Sequence, residues 1–517
     1  MRKIKILWVD DEVEALKPHI LFLEEKGYEM LTCSNGTDAI DLVKQDFFDI
    51  IFLDENMPGL SGIESLWLIH QARTDVPVVM ITKSDEEDLM ESAIGMEIAD
   101  YLIKPVKPKQ ILLTIKKITD QRRLVTEKTT GEYQQEFNNI GNMIQSVSSF
   151  DGWTDLYRKI VFWESELEKS SNQGMSEILR MQENEANNLF SKSITTNYLS
   201  WIQSDTTDKP ILSNSLMMKK ILPRVTGDRP LFFILIDNMR FDQWKTIASS
   251  LNGIFRIVEE DIFCSILPTA TQFSRNAIFS GLMPSQIKDY VPQFWIDEDE
   301  DESKNQFEEQ LFENHLQRLK ISIKWSYNKI NTTNEGKKVN EKLKEFMKND
   351  LNILVYNFVD ILSHARTDIG VIRDLAEDEA AYRTLTKSWF LHSSLFDLLK
   401  SLATMNAKVI FATDHGTIRV QNPIKIIGDK STSSNLRYKM GRNLAYNPKE
   451  VFEISDPAKA FLPKSNISSK YIFAMNKDVL IYQNNYNQYA SYYKNTFQHG
   501  GISMQEMLLP VAYLEPI

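Results

Sequence analysis

Three apolar runs in the second half of the chain each close on an aspartate. They occupy residues 231–237, 351–360 and 409–414 and end on Asp237, Asp360 and Asp414. The second run leads on to His364, the third to His415, and a further histidine stands in Gln498-His499-Gly500-Gly501. Short runs rich in β-branched and aromatic residues read as strands buried on both faces of a parallel sheet. Open α/β sheets bind their ligands beyond the carboxyl ends of the strands, so these side chains are expected to converge at one sheet edge. Aspartate and histidine without cysteine suit a dinuclear zinc- or manganese-type centre. A metallohydrolase is the activity this pattern points to.

At 517 residues the chain has room for about three domains. Its composition, 42% hydrophobic and 25% charged, is that of an ordinary soluble globular protein. The apolar run near Met1 is broken at once by Asp10 and Asp11, so it reads as a strand and not as a signal peptide. No apolar stretch approaches the roughly 20 residues of a membrane helix, so no membrane insertion is expected. Two cysteines, Cys33 and Cys264, do not make a disulfide framework, and a cytoplasmic location follows as the expectation. A net charge of −12 argues against a bulk nucleic-acid binder, which carries a basic face.

Residues 1–120 alternate between two periods. Strands are expected over 4–9, 50–53, 76–81 and 101–104, with amphipathic helices such as 15–26 and 37–45 between them, which makes a doubly wound parallel sheet. Its strand ends collect Asp10, Asp11, Asp54, Thr82 and Lys104. Three carboxylates in one place repel unless a cation lies among them, and hard oxygen ligands suit Mg²⁺. A magnesium ion beside a lysine is a site for phosphoryl transfer. Together with Leu53-Asp54-Glu55-Asn56-Met57-Pro58-Gly59 and Lys104-Pro105, these residues resemble the receiver domain of two-component response regulators. The resemblance implies that Asp54 accepts phosphate from a sensor histidine kinase. It implies Mg²⁺ held by Asp10, Asp11, Asp54 and the Asn56 carbonyl, with Thr82 and Lys104 on the phosphoryl group. It also implies a cis Lys104-Pro105 bond, a Tyr101 that moves with Thr82, and a homodimer favoured by phosphorylation.

Residues 121–220 change character and read as a helical bundle. Leu156, Ile160, Trp163 and Leu167 fall at helical spacing, and helices are expected over 150–167 and 175–202. Trp153, Trp163 and Trp201 read as core anchors. No helix-turn-helix with a basic recognition helix is evident, so a DNA-binding output is missing and the bundle is expected to relay the receiver's state.

Residues 221–517 form the expected hydrolase. The segment Pro268-Thr269-Ala270-Thr271 opens a helix and offers a hydroxyl at its positive end. Metal coordination would activate that hydroxyl; a helix cap is the plainer alternative. With the Asp and His residues above, the segment resembles the alkaline phosphatase superfamily, and specifically its PglZ-type domain. The resemblance implies two Zn²⁺. One is expected on Asp360, His364 and His499, the other on Asp237, Asp414 and His415, touched by the nucleophile Thr271. His19, His70, His315 and His392 are expected to be structural. Arg240 and Asn276 are candidate phosphate contacts, with a surface salt bridge as the alternative for Arg240 and helix capping or packing for Asn276; Arg275, on the same helix turn as Thr271, has no assigned contact, with helix capping or packing as its alternative. The acidic run 297–302 reads as a solvated loop. The basic segment 419–449 holds seven Lys or Arg and one acid, Asp429. It reads either as a mobile loop or as a lid whose Arg437, Lys439 and Arg442 grip a polyanion.

In fold class the chain is thus α/β: a doubly wound receiver, a helical bundle linker and an alkaline-phosphatase-like α/β domain. This order resembles the PorX-type response regulators. That implies phosphodiesterase action on cyclic or linear oligonucleotides, and control of type IX secretion and gliding. Two rival readings are a phosphomonoesterase and a signalling adaptor whose metal domain is structural and which binds a sigma factor or secretion component.

Overall fold

The computed structural model describes residues 3–73, 76–82, 98–170, 173–204, 209–297, 303–368, 378–428, 432–464 and 468–517; the side chains of 120–128, 173 and 364–368 lie outside the described set. The chain divides into two compact units, Met1–Glu132 with Ser170–Asn172, and Tyr133–Lys169 with Gln173–Ile517.

In the first unit, β1 Lys5–Val9, β2 Glu29–Cys33, β3 Ile50–Asp54, β4 Val78–Thr82 and β5 Asp100–Ile103 form one sheet in the order β2-β1-β3-β4-β5. Every pairing is parallel. β3 and β4 are buried along their whole length because the sheet is covered on both faces. Leu7, Val9, Ile51, Leu53, Val78 and Met80 fill one core, and Ile6, Trp8, Ile50, Phe52, Val79 and Ile81 fill the other, as strand alternation demands. Side chains fix the helix starts. Asn35 caps Gly36–Gln45 by accepting the Asp38 N–H, and Ser61 with Glu64 makes a capping box for Gly62–Ala72. Strand order reverses between β1 and β3, so the crevice lies at their carboxyl ends, where Asp10 and Asp54 stand.

In the second unit, β6 Leu231–Ile236, β7 Phe255–Cys264, β8 Trp325–Ile330, β9 Leu351–Tyr356 and β10 Lys408–Ala412 are followed by seven short strands. These are β11 Ile418–Arg419, β12 Asn422–Ile426, β13 Tyr438–Gly441, β14 Val451–Ile454, β15 Lys470–Ala474, β16 Asp478–Tyr482 and β17 Phe497–Gln498; β18 Leu508–Pro516 comes last. The main sheet runs β7-β18-β10-β6-β9-β8. β10, β6, β9 and β8 are mutually parallel, and β18 lies antiparallel between β10 and β7.

Two expectations are corrected here. The run ending on Asp360 is not all strand: β9 stops at Tyr356, and Asp360 lies in the first turn of the helix Phe358–Asp368. Nor is 419–449 a plain loop. Its described residues supply β11, β12 and β13, which pair with later strands; Asp429 lies outside the described residues.

The helices expected as a separate bundle share their core with this sheet. Tyr133, Ile140, Trp153, Leu156, Trp163, Phe190 and Tyr198 belong to the same apolar cluster as β6, β9 and β10, and Trp201 packs against it. Polar ties reinforce the packing: the Tyr198 hydroxyl accepts the Leu267 N–H at 2.8 Å, and the Asn187 amide donates to Gln505 at 3.0 Å. The receiver's last helix runs on unbroken as Pro108–Ser146, so the boundary between the units falls inside a helix, after Glu132. Among the described residues no helix is long and apolar enough to cross a membrane.

Candidate functional site

At the carboxyl edge of the receiver sheet, Asp10 follows β1 and Asp54 ends β3. Both are buried, whereas Asp11 is exposed. One oxygen from each of the three carboxylates lies within 4.8 Å of the others. The Lys104 ammonium is 2.9 Å from Asp54 and 3.1 Å from Asp10. Burial raises the Asp54 pKa, and the lysine works against that rise. Thr82 is buried at the end of β4, Lys104-Pro105 is cis, and Tyr101 is exposed on β5. Asn56 stands in the turn after β3, where Gly59 has φ +90°. Gly62 must be glycine, since a Cβ there would meet the Asp54 carbonyl oxygen at 2.6 Å.

The larger site lies at the carboxyl edge of the second sheet. Asp237 follows β6 directly and Asp414 follows β10 by two residues; the two strands are parallel neighbours, so their carboxylates meet. Asp237, Asp414 and His415 are all buried, and one ligand atom from each lies within 4.8 Å of the others. His415 Nδ1 is 3.2 Å from the Gly416 carbonyl, so the proton it donates there leaves Nε2 with a free lone pair. That Nε2 is 3.7 Å from Asp237 and 3.8 Å from Asp414. Burial lowers the His415 pKa and keeps the ring neutral. Asp414 Oδ1 accepts N–H groups from Asn238 at 3.3 Å and His415 at 3.1 Å, while its buried Oδ2 has no hydrogen-bond partner. Burial, and then the Asp237 charge, drive the Asp414 pKa well up. Arg275 Nε stands 3.8 Å from Oδ2, beyond hydrogen-bonding reach, and a carboxylate so placed calls for a closer cation. Thr271 opens the helix Thr271–Ser280, with Oγ1 3.0 Å from His415 Nε2 and 3.5 Å from Asp237.

A second pair abuts the first. His499 Nε2 is 3.9 Å from Asp360 Oδ1, and its Nδ1 is 3.2 Å from the Thr269 carbonyl. The His415 and His499 rings stack at 4.3 Å between centroids. Asn238 joins the two groups. Its N–H serves Asp414, its side-chain amide donates to Asp360 at 3.1 Å, and its φ of +62° makes the sharp turn after Asp237. His364 falls on the helix Phe358–Asp368, and its side chain lies outside the described residues.

The expected substrate contacts fare differently. Arg240 is buried, and both its Nε and Nη2 donate to Asp242, at 2.9 and 2.5 Å. Asn276 is buried and donates to the Lys304 carbonyl at 3.1 Å. Arg437 and Lys439 form no lid. Arg437 is wholly buried and paired in two-pronged fashion with Glu506, at 3.1 and 2.6 Å. The Lys439 ammonium donates to the Ser433 and Ser434 carbonyls at 3.1 Å and lies over the Tyr482 ring. Only Arg442 of the three is exposed. A basic run reads as a solvated arm when its apolar residues are overlooked; here they make strands, and two of the charges between them, Arg437 and Lys439, are buried with partners.

The "BREX system PglZ alkaline phosphatase-like domain" family model matches residues 216–514, more than half of the chain. The chain belongs to the PglZ family. The PorX response regulator linker domain matches residues 123–202 and the response regulator receiver domain residues 6–116. The molecule is therefore a two-component response regulator with a PglZ alkaline-phosphatase-like domain. Among curated relatives, the phosphoglycerate transport system transcriptional regulatory protein PgtA of Salmonella typhimurium is 34% identical over 120 residues, 23% of this chain and 29% of that protein. The alkaline phosphatase synthesis transcriptional regulatory protein PhoP of Bacillus subtilis is 34% identical over 116 residues, 22% of this chain and 48% of that protein. The chain thus spans less than half the length of either relative. A solved CheY-like receiver domain protein from Methanospirillum hungatei is 26% identical and covers 24% of this chain and 98% of its own, with a TM-score of 0.23.

Within the PglZ domain, sequence reasoning missed several residues that hold the site. Arg275, left without an assigned contact, is wholly buried and donates to Glu308 at 2.6 Å and Asn357 at 3.1 Å, and it lies 2.8 Å from Asp237 Oδ2. Its place four residues after Thr271 puts it on the same helix face, a signal that was available. Glu308 carried none, because its partner is 33 residues away. Thr269 fastens the His499 loop by accepting the Gly500 N–H at 3.0 Å and donating to the Gly501 carbonyl at 2.9 Å. Gly500, at φ +120°, has no room for a side chain, which would meet Tyr438 at 2.7 Å.

Proposed function

We propose that the PglZ domain is a zinc-dependent phosphodiesterase acting on cyclic or linear oligonucleotides, with Thr271 as nucleophile and Asp54 phosphorylation as its control. The observation that carries this reading is the buried Asp414 Oδ2, which makes no hydrogen bond and has Arg275 Nε at 3.8 Å, in a cluster with Asp237 and His415, whose Nε2 is 3.0 Å from the Thr271 hydroxyl at a helix start. The donor set is carboxylate oxygen and neutral imidazole nitrogen, which fits zinc. One ion would be held by Asp237, Asp414, His415 and Thr271, the other by Asp360, His364 and His499. Bound there, the pair supplies Lewis-acid charge and lowers the pKa of a coordinated hydroxyl.

The protein's own groups do the rest. Thr271 Oγ attacks phosphorus in line, the bond to the leaving oxygen breaks, and water later releases the phosphate from threonine. The amides of the helix Thr271–Ser280 start face the anion, and no side chain caps that end. Arg275 fixes the Asp237 carboxylate from behind. In the receiver, Asp54 takes phosphate from a sensor histidine kinase, with Mg²⁺ on Asp10, Asp11, Asp54 and the Asn56 carbonyl. Thr82 and Lys104 meet the phosphoryl group, and Tyr101 follows Thr82. The expected setting is cytoplasmic control of type IX secretion and gliding.

The deciding experiment gives purified protein bis(nitrophenyl) phosphate, nitrophenyl phosphate and a dinucleotide, each with zinc and with a chelator. Elemental analysis should find two zinc ions per chain, and fewer after His364→Ala. Diester turnover lost to chelation supports the proposal. Monoester turnover alone would make the site a phosphomonoesterase. Bound zinc with no turnover at all would favour the adaptor that binds a sigma factor or secretion component.

A further inference from the structure

At the same edge of the PglZ sheet, beside the ligand cluster, lies a cleft of ≈170 Å³. Its floor is set by Ile330 and Tyr356, the last residues of β8 and β9, which face each other in register. Its walls include Asn331, Phe358, Trp389 and His392. Phe358 and Trp389 are stacked face to face, with centroids 4.4 Å apart and planes 2° apart.

The cleft is tied to the ligand cluster by short connections. The Tyr356 carbonyl accepts the Asp237 N–H at 2.8 Å. Asn331 accepts from the Asn357 amide at 2.6 Å, Asn357 accepts from Arg275 at 3.1 Å, and Arg275 lies 2.8 Å from Asp237. Phe358 and Asp360 stand in the same helical turn. No step of the chemistry above uses this cleft.

We propose that the cleft is the base-binding subsite of the PglZ domain, receiving one heteroaromatic base next to the phosphodiester being cut. The inference rests on the phosphodiesterase reading for the place of the phosphate. The cleft is smaller than the roughly 300–1,000 Å³ pockets that hold whole drug-sized ligands, so it suits one ring system and not a dinucleotide. An aromatic pair at its wall offers a π face on which a base extends the stack, and such stacking tolerates any sequence. A polar group at the rim can read a base edge: exposed His392 donates from Nδ1 to the Ser388 carbonyl at 2.7 Å, which leaves Nε2 as an acceptor.

The test measures binding by calorimetry on full-length Thr271→Val protein, so that turnover does not intervene. The probes are adenosine monophosphate, uridine monophosphate and ribose 5-phosphate. Both nucleotides should bind roughly tenfold tighter than the sugar phosphate, the size of one stacked base. Trp389→Ala should remove that excess and Trp389→Phe should keep most of it. Should Trp389→Ala fold poorly, the exposed His392→Ala replaces it and should change the ratio of adenosine to uridine monophosphate affinities. Equal binding of nucleotide and sugar phosphate, or an excess untouched by both replacements, overturns the subsite. Diester hydrolysis in wild-type protein, together with equal binding of nucleotide and sugar phosphate, would leave the proposed function standing and remove only this cleft's role. Base-dependent binding with no hydrolysis of any diester would do the reverse.

Discussion

At the scale of single residues, the clustered acids are held by their neighbours: Arg275 lies 2.8 Å from Asp237, and Asn238 donates to both Asp414 and Asp360. Asp237, Asp414, His415 and His499 stand out because acids and histidines at the ends of apolar runs have few structural uses. Asn238, Thr269 and Glu506 do not, since their partners lie on other elements and become visible only when the chain has folded. Two expectations follow. Thr271→Val keeps the side chain's shape and removes the hydroxyl, so diester turnover should fall by at least about a thousandfold, an order typical of losing a nucleophile. Its unfolding midpoint should match the wild type; unchanged turnover would mean that water attacks directly. Arg437→Ala should act on stability and not on substrate affinity. It strands the buried Glu506 carboxylate, which also accepts from Gly501 and Ser503. Breaking such a pair costs about 3–5 kcal/mol. Urea unfolding should show the loss, and a selective rise in KM for oligonucleotides over a small ester would argue for the lid after all.

At the scale of elements, the period-2 and buried-run signals located the parallel strands well, because a strand buried on both faces must be continuously apolar. They failed where an apolar run crosses from strand to helix without punctuation, as at Tyr356 to Phe358. They also missed β7, β8 and β18, whose edges or antiparallel pairing tolerate charges such as Glu259, Lys329 and Glu515. The end of the helix Thr271–Ser280 carries its own test. Gly281 closes it at φ +67°, and a Cβ there would meet the His315 ring at 2.3 Å. Burial lowers the pKa of His315 to about 4, with its Nδ1 on the Phe279 carbonyl. The unfolded chain takes up this proton below about pH 6.5, while the folded one holds out until about 4. Stability from this group is therefore complete above about 6.5 and is lost as pH falls toward 4, by on the order of 3 kcal/mol. Unfolding midpoints at about pH 7 and about pH 5 should diverge less in His315→Gln than in the wild type. Equal divergence would assign the acid sensitivity to other groups.

At the scale of the whole molecule, the order of receiver, helices and PglZ domain was legible because each has its own periodicity, whereas the merging of the helices into the PglZ core was not. Amphipathic spacing says that a helix has a partner, not which one. Phosphorylation is the molecule-wide prediction. Beryllofluoride with Mg²⁺ should raise the mass seen by light scattering toward that of a dimer, and Asp54→Ala should block the change. A wild type that stays monomeric with Asp54 demonstrably phosphorylated would place the control within one chain. The position of β18 has a consequence of another kind. Residues 508–516 fill the gap between β10 and β7, and without them β10, which leads to Asp414, and β7, which leads to the helix of Thr271, belong to separate fragments of sheet. On the ribosome, the receiver's strands, all within residues 5–103, can pair early. The PglZ sheet must wait for its penultimate neighbour to be synthesised, with two strand edges bare until then. Nascent chains arrested before residue 508 should therefore carry a protease-resistant receiver and a chaperone-bound, catalytically silent PglZ segment.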